Sequence, residues 1–498
     1  MVQKKENIVM FPFMAQGHII PFLALALHIE QTRNYSITFV NTPLNINKLK
    51  QSLPPNSSIT LLEIAFDSSD HDLPPNSENC DALPYSLVIK LLKASTSLRP
   101  AFKELVSDII CKCHGERPLC IISDIFFGWT ASVARELGVF HAIFSGSGAY
   151  GLACYYSVWT HLPHNKIDSD HHEFVLPDFE EASKFHVTQL PLSMLEADGT
   201  DSWSVFQCQN LPEWVNSNGV LFNTVEVFDQ LGLMYFKRKL VCPVWPVGPV
   251  LLSLKNRAKV GKEGGVSPEF CKEWLDSKPV NSVLYISFGS MNTINKSQMM
   301  QLAMALESSG RNFIWVVRPP IGFDINSEFS ANEWLPDRFE EKISNRGLLI
   351  QKWAPQVEIL SHKATSAFLS HCGWNSVLEA LIHGVPLLGW AMAAEQFFNV
   401  KFLEEELGVC VEVARGKTCE VRHETVVEKI ELVMNETEKG KEIRRKVFEV
   451  KEMIENAMID EEENKGSSVK AMDDFFNAAI SMKEKMIKIK REEDNNGI

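Results

Sequence analysis

Short apolar runs recur along the chain, separated by stretches of helical spacing or polar loop. In the first half they are NIVMFPFM, SITFVN, ITLLEIA, LCIIS, HAIFS and GVLFN. In the second half they are SVLYISF, NFIWVV, GLLIQ, SAFLS, VPLLG and GVCVEV. Each reads as a strand, and strand alternating with helix predicts an α/β protein whose halves are two doubly wound, Rossmann-like parallel-sheet domains. A stretch rich in charge and glycine, Ser253 to Glu269, reads as the linker. The predicted division is a first domain at 1–252, a linker at 253–269, a second domain at 270–482 and a charged tail at 483–498 that would fray. A ligand site in the cleft between such domains is the default expectation.

One polar cluster interrupts this pattern. In SHCGWNSVLEALIHGVPLL, Ser370 to Leu388, the residues His371, Cys372, Gly373, Trp374, Asn375 and Ser376 stand between a strand-like run and a helix-like one. A strand-to-helix turn is where α/β proteins bind ligands, and free N–H groups with the helix dipole suit an anion. A plainer reading competes: Ser376 and Glu379 have the spacing of a capping box. Zinc does not fit His371 and Cys372, which are adjacent and lack partners at a usual ligand spacing.

Charge and cysteine usage narrow the classes. The formal net charge is −14, which argues against nucleic acid or an anionic membrane as the main partner, so an anion must be held by local dipoles. No apolar stretch is long enough to span a membrane, and the N-terminal MVQKKENIVMFPFM is too short in its apolar run for a signal peptide. Eleven cysteines without a paired framework fit a reducing cytoplasm.

Three patterns point elsewhere. Gly146-Ser-Gly148-Ala-Tyr-Gly151 matches the dinucleotide fingerprint G-x-G-x-x-G, but it does not follow the first strand, and Asp168 and Asp170 lie in a loop rather than at a strand end. Asp70-His71-Asp72 and the run from Asp168 to Glu173 resemble metal-binding clusters, yet both lie among Pro, Ser or Asn residues typical of solvated loops.

The cluster belongs to a longer block, WAPQVEILSHKATSAFLSHCGWNSVLEALIHGVPLLGWAMAAEQ, 44 residues from Trp353 to Gln396. With WAPQ at its start, HCGWNS inside and EQ at its end, it closely resembles the signature box of plant family-1 UDP-glycosyltransferases. The resemblance extends to GHIIP at Gly17–Pro21, to the run from Glu273 to Ser290, and to FIWVVR at Phe313–Arg318. It implies the GT-B fold, an acceptor-binding first domain, a nucleotide-sugar-binding second domain, and an active site between them. Trp353 would stack on uracil, with Ala354 and Gln356 bonding its edges or the ribose. Glu379 would take the ribose hydroxyls. Ser290, His371, Asn375 and Ser376 would hold the diphosphate, with Gly373 letting the backbone approach. Trp374, Glu395 and Gln396 would face the sugar, and Ala394 would touch the acceptor. No metal and no cofactor is implied; the UDP-sugar is a co-substrate.

His18 follows the first strand and Asp124 ends another, so both are expected at the carboxyl end of one sheet. The family pattern makes His18 the general base and acceptor contact, and Asp124 its orienting carboxylate. The chain departs from the pattern at Ala391, where Pro is frequent, and at Glu395, where Asp is frequent. Gly146 falls where some members carry a hydroxyl. The expected activity is inverting transfer of glucose from UDP-glucose to a hydroxyl of a small lipophilic plant metabolite, a terpenoid, flavonoid or other phenolic. Glucose is favoured by Gln396 and by Trp374. The expected enzyme is a cytoplasmic monomer. A UDP-sugar epimerase and a binding protein without turnover are the competing classes. The acceptor pocket is expected around Phe126, Tyr150 and Leu192–Leu195.

Overall fold

A computed structural model describes residues 5–167, 172–251, 265–325 and 327–495. All twelve predicted runs form strands, and each half builds its own parallel sheet. The first sheet holds β1 (Asn7–Phe11), β2 (Ser36–Asn41), β3 (Thr60–Glu63), β4 (Cys120–Asp124) and β5 (Phe140–Ser145). After a small antiparallel hairpin, β6 (Glu173–Phe174) with β7 (Phe185–His186), it continues with β8 (Gly219–Phe222) and β9 (Val244–Pro246). Its strand order is β3-β2-β1-β4-β5-β8-β9. The three-residue β9 escapes the sequence pattern because prolines at 243 and 246 bracket it.

The second sheet has β10 (Val283–Ser287), β11 (Asn312–Val317), β12 (Gly347–Gln351), β13 (Thr365–Ser370), β14 (Leu387–Ala391) and β15 (Cys410–Arg415). The order is β12-β11-β10-β13-β14-β15. In both sheets the order reverses beside the first strand, which opens a crevice at the carboxyl ends where loops can hold a ligand. Two such sheets, their crevices meeting across a cleft, are the GT-B arrangement.

Two predicted boundaries shift. Of the expected linker, residues 253–264 lie outside the described residues, and a helix begins before its expected end, at Pro268–Asp276, capped by the Ser267 hydroxyl. The final helix, Ser467–Asn495, runs through the expected boundary at Met482 and packs on the first sheet, not the second. Its apolar face, with Met472, Phe475 and Phe476, shares a core with Ile8, Phe39 and Trp245. The Phe475 and Trp245 ring centroids are 5.3 Å apart, and Arg33 bonds Asp473 at 2.6 Å. The amphipathic spacing of VKAMDDFF supplies that face. No described helix is long and apolar enough to cross a membrane.

Candidate active site

β1 ends at Phe11, and the chain turns directly into the helix Gln16–Thr32, which puts His18 in its first turn at the sheet's carboxyl edge. β4, paired beside β1, ends at Asp124. The His18 Nδ1 lies 2.9 Å from Asp124 Oδ2. A carboxylate only accepts, so Nδ1 carries the proton and the lone pair is on Nε2. Asp124 is 1% exposed and also accepts from the Phe126 N–H at 3.1 Å. Phe13 and Phe126 flank the imidazole at centroid distances of 5.6 and 5.3 Å. Burial pulls the His18 pKa down, but the charge and hydrogen bond of Asp124, helped by Glu395, outweigh it and leave it raised.

The second domain contributes a preorganised network. The helix Trp374–Ile382 begins right after β13 with Gly373 as its N-cap. The competing capping box at Ser376 and Glu379 does not form, because the helix starts two residues before Ser376. The N–H groups of its first turn, at the mouth of the cavity, remain for an anion. Gln356 ties the expected diphosphate and ribose residues together. It donates to Ser376 Oγ at 3.0 Å and to Glu379 Oε2 at 2.8 Å, and accepts from the Tyr285 hydroxyl at 3.2 Å. His371 is buried, with its pKa lowered to about 4 by desolvation and by Arg318, so it meets an anion as a neutral donor. Gln396 spends its carbonyl on the Met392 and Ala393 N–H groups, both at 3.0 Å. Its NH₂ end has no hydrogen-bond partner among the described residues.

One seam joins these parts. Pro21 lies inside the first helix and has no N–H to give the carbonyl of Gly17, four residues back. That carbonyl instead accepts from Asn375 Nδ2 at 3.2 Å, so the turn bearing His18 is fastened to the signature cluster. The indole N–H of Trp374 donates to the Asn223 carbonyl of the first domain at 2.6 Å, so only its ring can meet a sugar. A Cβ on Gly148 would fall 2.6 Å from that ring, and one on Gly151 would fall 2.2 Å from Asn399 Oδ1. Ser147 donates to Glu395 Oε1 at 3.2 Å, a contact across the cleft that the sequence pattern left unassigned. The Glu395 pKa is raised by burial, which the charge of His18 and the Ser147 bond only partly offset.

These glycines explain the false fingerprint. The glycines at 148 and 151 serve the domain seam, and Gly146 abuts Pro21. The N-terminus of the following helix is already filled by Asp229, which accepts from the Ala149 and Tyr150 N–H groups at 2.7 and 2.9 Å. No pyrophosphate fits there. Asp168, Asp170 and His171 lie outside the described residues. His71 stacks on Phe66 at the surface, and no potential metal-binding group of three His, Cys, Asp or Glu residues gathers among the described residues.

A cavity of about 390 Å³ is lined by every predicted site residue except Asp124, which is buried behind His18. His18, Ala394 and Glu395 lie along it with Ser290, Trp353, Ala354, Gln356, His371, Trp374, Asn375, Ser376, Glu379 and Gln396. Its first-domain arm has an aromatic wall the sequence did not single out: Tyr85, Trp203 and Trp159, stacked in sequence at 6.1 and 6.4 Å. These residues are far apart in the chain, so no local pattern marks them. Phe126 lines the arm as expected. Tyr150 does not: it is fully buried and stacks on Phe402 at 4.8 Å. Leu192 and Leu195 point to solvent, while Pro191, Ser193 and Met194 face the cavity. Arg318, also unassigned, lines the donor arm.

Residues 208–445 match the family model for UDP-glucoronosyl and UDP-glucosyl transferases. UDP-glycosyltransferase 92A1 of Arabidopsis thaliana is 56% identical over 485 residues, covering 96% of this chain and 98% of its own. Crocetin glucosyltransferase 3 of Crocus sativus is 43% identical, covering 90% and 94%. Among solved structures, Glycyrrhiza uralensis UGT73P12 complexed with glycyrrhetinic acid 3-O-monoglucuronide superposes with a TM-score of 0.83 at 28% identity, covering 99% of each chain. Medicago truncatula UGT71G1 complexed with UDP-glucose gives 0.78 at 25%, covering 96% and 99%. Kinship of this depth along nearly the whole length, on the same two-sheet fold, establishes that the chain belongs to the plant family-1 UDP-glycosyltransferases.

Proposed function

We propose that the protein transfers glucose from UDP-glucose to a hydroxyl of a small lipophilic metabolite, with inversion, giving a β-glucoside. The observation that carries this reading is the His18–Asp124 pair, 2.9 Å apart, with His18 lining the same cavity as the second domain's donor network. His18 Nε2 takes the proton of the acceptor hydroxyl. The oxygen attacks the anomeric carbon from the face opposite UDP, and the bond from that carbon to the β-phosphate oxygen breaks. Asp124 stabilises the imidazolium. Charge growing on the leaving UDP meets the helix N-terminus, Ser290, His371, Asn375 and Ser376. Trp353 stacks on the uracil while Ala354 edges it, Glu379 holds the ribose, and Trp374, Glu395 and Gln396 bound the sugar. Ala394, in a left-handed conformation (φ 52°), turns the chain beside the acceptor.

Glucose is supported by the free amide end of Gln396 and by the UDP-glucose complex of the Medicago relative. The aromatic wall suits a flat, conjugated acceptor. Eleven unpaired cysteines suit the cytosol, and one chain supplies both base and donor network, so a monomer suffices. A panel of phenolic, flavonoid and terpenoid alcohols with UDP-glucose, read by mass spectrometry, tests the reading. Acceptor-dependent gain of one hexose with release of UDP supports it. Sugar interconversion without an acceptor would instead indicate an epimerase.

A further inference from the structure

The donor arm contains a cation that neither the sequence cluster nor the proposed mechanism uses. Arg318 follows β11, whose carboxyl end lies beside that of β10. One guanidinium nitrogen, Nη1, donates to the Ser290 carbonyl, and Nη2 donates to the Lys352 carbonyl at 3.2 Å. The two carbonyls belong to different loops, the one that carries Ser290 and the turn that presents Trp353. Lys352 holds that turn in a left-handed conformation at φ 71°. The Nε–H of Arg318 is buried and has no hydrogen-bond partner among the described residues. An unmet donor on a charged group in a binding cavity is costly unless a ligand satisfies the site.

Charge leads to the same residue. In a chain of net charge −14 the overall field repels a diphosphate, so a local cation beside the helix dipole would strengthen the site. His371 is neutral, so it brings none. Of the described lysines and arginines, only Arg318 and Lys352 line the cavity, and Lys352 is exposed. The negative charge acting on Arg318, that of Asp81, comes from the first domain across the cleft.

We propose that Arg318 is the cationic clamp of the donor site: it fastens the Ser290 loop to the Trp353 turn and places its charge beside the diphosphate. Residues at opposite ends of the nucleotide are thereby held at one spacing, and the charge on departing UDP is partly neutralised. This rests on the donor-site reading above.

The test measures UDP and uridine affinities by titration calorimetry on the full chain, for wild type, R318Q and R318K. The informative quantity is the preference for UDP over uridine, because a merely structural defect weakens both alike. R318Q is expected to reduce that preference by about tenfold or more, since a charge-assisted contact is lost. R318K keeps the charge but not the fork. It should bind uridine more weakly while holding the preference within about threefold of wild type. An unchanged preference in R318Q, whatever the absolute affinities, overturns the inference. Should R318Q not fold, R318K decides: a collapsed preference, or undiminished uridine binding, overturns it. A wild-type protein that does not prefer UDP to uridine at all sinks the donor reading and this inference with it.

Discussion

At the scale of single residues, the account depends on opposing contributions to one imidazole. Burial favours neutral His18, Asp124 favours the cation, and Asp124 prevails, so the pKa lies above the ordinary histidine value. A base must be neutral to act, so activity should fall as pH drops through that raised pKa. Asp124→Asn leaves burial unopposed by its strongest counterweight. The acid limb of the kcat/KM profile should then move to lower pH while the plateau rate falls. A limb that stays in place means that Asp124 does not act on His18. Trp353→Ala removes a stacking face worth about 1–3 kcal/mol by analogy with bases on aromatics. Calorimetry should show that much weaker UDP binding, and unchanged affinity in a folded variant refutes the assignment. Gln396→His replaces the free NH₂ end with an imidazole of different geometry, and should lower use of UDP-glucose relative to UDP-galactose in competition assays.

At the scale of elements, the strand ends place the chemistry and a few small residues join the domains. Pro21→Ala returns an N–H that can reclaim the Gly17 carbonyl from Asn375. A hydrogen bond is worth about 0.5–1.5 kcal/mol net, so kcat/KM should fall by up to about tenfold while thermal stability holds or rises. An unchanged kcat/KM would show that the bond contributes nothing to positioning. Gly148→Ala drives a methyl into the Trp374 ring and should cost about 1–3 kcal/mol of overpacking, seen as a lower melting temperature together with lost activity. The twelve strands were legible because each is a continuous apolar run, and the signature residues because they cluster in one stretch. The sequence showed that Gly146, Gly148 and Gly151 are not a nucleotide loop, but not what they are for. Their purpose is set by Pro21, Trp374 and Asn399, side chains far away in sequence. Arg318 was visible only as the end of FIWVVR, without a role, because only the fold brings Ser290 and Lys352 to it.

At the scale of the whole molecule, the last described helix returns to the first domain. The helix Ser467–Asn495 closes the first sheet's core, so the first domain is completed only when the second has been made. Phe475→Ala, fully buried against Trp245 and Phe140, should cost about 3–5 kcal/mol, and denaturant unfolding measures it. This crossing was not legible because the helix's apolar face says only that it packs, not on what. The aromatic wall of the cavity was hidden likewise, being assembled from Tyr85, Trp159 and Trp203 by the fold of the first domain. The central claim is that this domain supplies a base to a donor held by the other, and turnover by His18→Ala tests it most directly. A general base contributes about 10²–10⁴-fold, so glucosylation of an aliphatic alcohol should slow by that factor while UDP affinity stays near wild type. A phenol, closer to ionising at neutral pH, should slow less. Glucosylation of the aliphatic alcohol by His18→Ala at the wild-type rate would contradict the account.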